Sequence, residues 1–218
     1  MVDPQLEIAP YLEAAAQKSM RITHIIETHV HADHLSGARR LVEVTGAPVL
    51  FQESADVRFP HCALRDGEEH EVGNVRLTVL HTPGHTPESI SILVADRTRG
   101  AEPWFVLTGD TLFVGGVGRP DLLSEGVKIR LAEQLYESLF WRLLTLPDHV
   151  EVYPAHFGGA ACGKGLSGKP GSTIGFERRF NPALSLGAKP EFVRFALEDL
   201  PPQPETFARN RRRNLGLE

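Results

Sequence analysis

Four apolar runs in this chain each stop on, or a few residues before, a side chain that can ligate a metal. "RITHIIETH" (21–29) ends on His29, and "VRLTVLH" (75–81) leads through a "TPG" turn to His85. "PWFVLTGD" (103–110) ends on Asp110 and "VEVYPAH" (150–156) on His156. Runs of that length and β-branched content predict strands. Ligands at the C-terminal ends of several strands demand a fold that gathers those ends at one edge, as α/β proteins do.

The intervening segments fit. "PYLEAAAQK" (10–18) and "DHLSGARRLVEVTG" (33–46) predict helices, the second stopped by Gly46. Leu131, Leu135, Leu139 and Leu143 recur every four residues, which predicts a helix over 127–146. "PVLF" and "SISILVA" (89–95) predict further strands, and shorter helices are expected near 173–180 and 190–198. The segment 157–172 carries too much glycine for a regular element and reads as a loop. With 218 residues, 41% of them hydrophobic, one domain over 1–218 is expected.

Charge and cysteine content narrow the partners. A net charge of −5 gives no reason to expect nucleic acid, and the basic "RNRRRN" (209–214) reads as part of a solvated C-terminal tail, 200–218. Cys62 and Cys162 are the two cysteines, so the fold does not rest on disulfides, and a reducing cytoplasm is the expected location. No apolar run is long enough for a membrane span.

The ligand chemistry concentrates in "ETHVHADHLSG" (27–37), which holds His29, His31, Asp33 and His34. Together with His85, Asp110 and His156 these make seven candidates. Imidazole with carboxylate suits Zn²⁺, Fe²⁺ or Mn²⁺, and the lack of thiolate argues against a closed structural zinc site. The competing reading, histidines that merely satisfy backbone groups in a turn, does not account for the ligands arriving on other strands. His24, His61, His70, His81 and His149 have no such company and read as structural or surface residues.

With these residues in view, the chain closely resembles the metallo-β-lactamase superfamily. "THVHADH", "TPGHTPES", "TGDTLF" and "YPAH" match its successive ligand motifs in order. The resemblance implies an α/β fold, an αββα sandwich with the metal site at one edge of its two sheets. Two glutathione-linked families within it keep all seven residues. Hydroxyacylglutathione hydrolase uses two zinc ions to cleave a thioester; persulfide dioxygenase uses one Fe²⁺ and O₂ to turn a thiol persulfide into sulfite and free thiol.

The segments "GGVGRPDLL" (115–123) and "YPAHFGGAACGKGLSGKPGSTIGFERRFNPAL" (153–184) resemble the dioxygenases, particularly the branch often fused to a rhodanese domain. By that resemblance one Fe(II) per chain is held by His29, His85 and Asp110. His31, Asp33, His34 and His156 then either orient those ligands or bind a second metal, the alternative being two Zn. Arg119 is the expected substrate contact, a guanidinium for a carboxylate of a glutathione-type thiol, against the alternative of a salt bridge to Asp121. Cys162 is a candidate for sulfur handling, against a bystander thiol. A non-catalytic metal-binding or sulfur-sensing module is the third functional class.

Relative to the superfamily, the first strands are missing before "MVDP". Either the start is truncated or the first sheet is short, with its edge exposed or covered by another subunit in a homo-oligomer. No rhodanese segment follows, so a separate rhodanese or a free thiol pool is the expected source of persulfide.

Overall fold

The computed structural model describes residues 1–218. In chain order it forms α1 (Ala9–Gln17), β1 (Ile25–Ile26), α2 (Ala38–Thr45), β2 (Val49–Gln52) and β3 (Cys62–Leu64). Next come β4 (Glu69–Val72), β5 (Val75–His81), β6 (Ile90–Asp96), β7 (Phe105–Gly109), β8 (Leu112–Phe113) and β9 (Gly116–Val117). The chain finishes with α3 (Lys128–Trp141), β10 (Glu151–Pro154), β11 (Ser172–Thr173), α4 (Ile174–Phe180), α5 (Lys189–Leu197) and α6 (Thr206–Asn214).

Two sheets carry the fold. The smaller has the order β1-β2-β3, all parallel, and the larger the order β11-β10-β7-β6-β5-β4. In the larger sheet only the β10–β7 pair is parallel. Ile26, Leu50 and Leu64 of the smaller sheet pack on Val79, Ile90, Ile92 and Val94 of the larger. That facing pair of apolar surfaces is the middle of the sandwich. Strand β6 lies inside the larger sheet, which is why "ILVA" is nearly continuous in apolar residues rather than alternating.

Helices cover both outer faces. Leu131, Leu135, Leu139 and Leu143 are fully buried with Val106, Val152 and Phe192 on one side. On the other, Ala38 and Leu41 of α2 pack with Ile25, Val49 and Phe51. The αββα arrangement expected from the sequence is therefore the one observed, with no helix long and apolar enough to cross a membrane. The smaller sheet is short, and Val2 runs beside it as a single parallel bridge to Ile26.

Four sequence expectations need correction. The helix expected over 33–46 begins only at Ala38, because 33–37 stays in the loop that carries the candidate ligands. The strand expected over 21–29 pairs only at Ile25–Ile26, because the next side chains turn into a polar network described below. The helix expected over 127–146 ends at Trp141 and continues as a 3₁₀ turn, Leu143–Thr145. Most consequential, 200–218 is not a solvated tail. Helix α6 docks through Phe207, Asn210 and Leu215, which are buried, while its arginines cover the outer side. The spacing 207, 210, 214 is that of one helical face, obscured in the sequence by the charge of the residues between.

Candidate metal centre

His29 follows β1, His85 sits in the β5–β6 connection and Asp110 directly follows β7. The Nε2 atoms of His29 and His85 lie 3.7 Å and 3.4 Å from Oδ2 of Asp110. All three residues are buried, and Nε2 of His29 and Oδ2 of Asp110 have no hydrogen-bond partner. Buried polar atoms are almost always paired, so unpaired donors converging on one point mark a binding point for an ion. Two donors about 2.1 Å from a shared ion stand roughly 3–3.5 Å apart, so the spacing fits a metal.

Protonation favours the same reading. Burial pushes His29 well below the usual imidazole value, and neighbouring His31 adds to the effect; burial likewise lowers His85. Both rings are neutral and offer lone pairs. Burial acts to raise Asp110, but the hydrogen bond and charge of His156, with the neighbouring histidines, together outweigh it and hold the carboxylate ionised.

Each ligand is aimed by a partner behind it. Nδ1 of His85 donates to the Arg119 carbonyl at 2.9 Å, leaving Nε2 as the lone-pair nitrogen. Thr28 Oγ1 donates to Asp3 Oδ2 and therefore accepts from Nδ1 of His29 at 2.9 Å, which fixes the same tautomer there. Gly118 lets the chain pass under Asp110, where any Cβ would overlap the Asp110 carbonyl oxygen.

His156, Asp33 and His34 form a second layer. His156 bridges two carboxylates, with Nδ1 2.7 Å from Asp110 Oδ1 and Nε2 2.8 Å from Asp33 Oδ2. Burial works to lower its pKa, but these two partners raise it to about 10. Asp33 is held well below the usual carboxylate range by His156 and His34 against the pull of burial. His31 does not join the His29–His85–Asp110 group. Its Nε2 lies between Asp3 Oδ1 at 3.1 Å and Glu27 Oε2 at 3.0 Å, and these carboxylates raise it well above the ordinary value despite burial. Nδ1 of His31, Oδ1 of Asp33 and Nε2 of His34 are also buried without partners.

Arg119 is turned into the protein rather than toward an open site, in the salt bridge to Asp121 that was the alternative to a substrate contact. Nε and one terminal nitrogen bind Asp121 at 2.7 and 2.9 Å, and the carbonyls of Ala161 and Pro201 accept two further N–H groups at 3.1 and 2.8 Å. At 2% exposure the side chain has no surface left for a ligand. Cys162 lies beside Asp33 and His156, packed with Ala32, Phe113 and Phe207. Burial, then the nearby Asp110 and Asp33 charges, push its thiol far up, so it is not a ready nucleophile. Lys164 does not reach it; its ammonium binds the carbonyls of Phe195 and Glu198. His24, His61, His70, His81 and His149 stay outside the cluster.

Several contributors were not among the candidate residues read from the sequence. Asp3 and Thr28 anchor the first ligand, Glu27 holds His31, and Glu88 accepts from the Val30 backbone at 3.1 Å. Asn210 and Asn214 reach the ligand loop from more than 170 residues away. A cavity of 240 Å³ beside the centre is bounded by Thr28, His31, His34, Tyr153 and His156, and none of His29, His85 and Asp110 lines it. A larger one of 480 Å³ lies behind the loop, rimmed by Arg39, Arg40 and Arg213, but it does not contain His85 or Asp110.

Residues 2–156 match the metallo-beta-lactamase superfamily model. The chain is 30% identical to the mitochondrial persulfide dioxygenase ETHE1 of Bos taurus, over 89% of its own length and 69% of that protein. It is 36% identical to a hydroxyacylglutathione hydrolase of Idiomarina loihiensis, over 72% of its length and 55% of that protein. The crystal structure of ETHE1 from Myxococcus xanthus superposes with a TM-score of 0.84 at 34% identity, covering 99% of this chain and 87% of that one. Motif order, sandwich and convergent ligands agree with these matches: the chain belongs to the metallo-beta-lactamase superfamily.

Proposed function

We propose that the protein is a mononuclear Fe(II) persulfide dioxygenase acting on a glutathione-type thiol persulfide. The observation that carries the reading is the contrast between two sets of donors. His29, His85 and Asp110 present a two-histidine, one-carboxylate face with orphaned donor atoms, the arrangement suited to ferrous oxygenases. His156, by contrast, has both nitrogens engaged, between Asp110 and Asp33.

A ferrous ion bound there supplies redox activation of O₂ and a binding position for the soft terminal sulfur. The balanced reaction consumes persulfide, O₂ and water and yields free thiol and sulfite with two protons, the outer sulfur being oxidised and O₂ reduced. The protein's own part is orientation and proton control. Thr28 and the Arg119 carbonyl lock the two imidazoles with Nε2 toward the site. His156, positively charged between two carboxylates, keeps Asp110 ionised and leaves Oδ2 free.

A second reading, a zinc hydrolase of the hydroxyacylglutathione type, draws on the unpaired atoms of His31, Asp33 and His34 as donors for another ion. Oxygen electrode measurements separate the two. Iron-loaded protein given glutathione persulfide consumes one O₂ per sulfite formed. Verified Fe²⁺ in the site with no oxygen uptake, or hydrolysis of lactoylglutathione without oxygen, defeats the dioxygenase reading.

A further inference from the structure

The loop 30–36 carries the ligand motif but belongs to no helix or strand, and Val30, His31 and Ala32 are buried. Buried loop carbonyls require donors from elsewhere. Here they come from α6. Nδ2 of Asn214 donates to the carbonyls of His31 and His34, each at 2.8 Å, and its Oδ1 accepts from the Ser36 backbone at 3.0 Å. One turn earlier, Nδ2 of Asn210 donates to the Asp33 carbonyl at 3.2 Å. The two asparagines are four residues apart and so share a helix face, while Phe207 on that face packs against Ala32.

We infer that Asn214, supported by Asn210, is a positioning residue of the metal centre, so that the C-terminal helix forms part of the metal site although it contributes no ligand. No other side-chain type fits as well at 214. The site needs two donors and one acceptor within a single short planar group, which an amide provides and a carboxylate or hydroxyl does not. The Ser36 hydroxyl meanwhile bonds Glu27, the residue that holds His31 from the opposite side. The loop is thus fixed between β1 and α6. Loss of the α6 side lets its carbonyls seek water and moves His29 relative to His85 and Asp110.

The inference concerns the centre assigned above and rests on that reading only for which metal is native. Its test uses Co²⁺, binding to the full chain being followed by visible absorption and by thermal melting with and without the ion. Asn214→Asp, equal in size but lacking both donors, is expected to bind Co²⁺ roughly 10- to 100-fold more weakly, with an altered absorption envelope and a smaller Co²⁺-induced rise in melting temperature. Asn210→Ala, which loses one bond, shows the same changes to a lesser degree and carries the test where Asn214→Asp does not fold. Arg212→Ala, on the exposed side of α6, matches the wild type. Equal lowering of both melting temperatures, with wild-type affinity and spectrum, means a merely structural role and overturns the inference. Persulfide is absent from the assay, so a protein that proved to be a hydrolase would leave this result standing.

Discussion

His156 places Nδ1 2.7 Å from Oδ1 of Asp110, and that same carboxylate leaves Oδ2 without a partner beside His29 and His85. One carboxylate oxygen is committed to the protein and the other to the centre. In the proposed centre the imidazole does not compete for the ion; it aims the carboxylate that would hold it.

Replacing His156 by Asn therefore lowers metal affinity, by roughly 10- to 100-fold, without changing the number of ions per saturated chain. Equilibrium dialysis followed by elemental analysis checks this. A fall from two ions to one would make His156 a ligand.

Arg119, buried, pairs with a partly exposed Asp121, and its guanidinium also binds two carbonyls, one from the 157–172 loop and one from the segment before α6. Arg119→Ala leaves both carbonyls without their partner and the partly exposed Asp121 charge to water, so the cost to stability is about 1–3 kcal/mol. Arg119→Lys recovers little of it, since an ammonium cannot serve three directions in one plane. Urea unfolding of the three proteins measures the difference. A loss confined to KM, with stability intact, would restore the substrate role.

Acid stability follows from the same pair. Burial acts to raise the Asp121 carboxyl, but the Arg119 hydrogen bonds and charge outweigh it and leave it below its ordinary 3.8. A depressed folded-state value means the unfolded chain binds the proton more readily. The stabilisation is complete above the unfolded value and lost as pH falls through the folded one. Metal-free wild type should lose stability between about pH 5 and 3 more steeply than Asp121→Asn. Parallel pH profiles over that window would contradict the assignment.

Cys62 is exposed and Cys162 buried, with its thiol pushed up by burial and by nearby carboxylates. Iodoacetamide at pH 8 should modify one cysteine rapidly and the other only on unfolding. Mass spectrometry of the digest identifies which. Fast modification of Cys162 in the folded protein would reopen its candidacy for sulfur transfer.

What the sequence made legible follows from how local each signal is. Seven ligand-type residues stand at strand ends, and the leucines of α3 recur at helical spacing; both patterns are carried by near neighbours. Strand β1 was overestimated because "THIIETH" has the composition of a strand, whereas Thr28 and His29 are drawn toward Asp3. Arg119 shows the limit of motif reasoning. An arginine near a metal edge suggests an anion site, and only the fold reveals that Pro201, 82 residues on, already takes one of its donors. Asn214 offered no local cue, since its partners lie about 180 residues earlier and its neighbours are arginines.

The central claim is a single ion held by His29, His85 and Asp110, and counting metal per chain tests it most directly. Protein expressed with iron and zinc both available is analysed by mass spectrometry of the metals and by Mössbauer spectroscopy. One high-spin ferrous ion per chain, lost on replacing His85 by Ala, is the expected result. Two zinc ions per chain in active protein would contradict it.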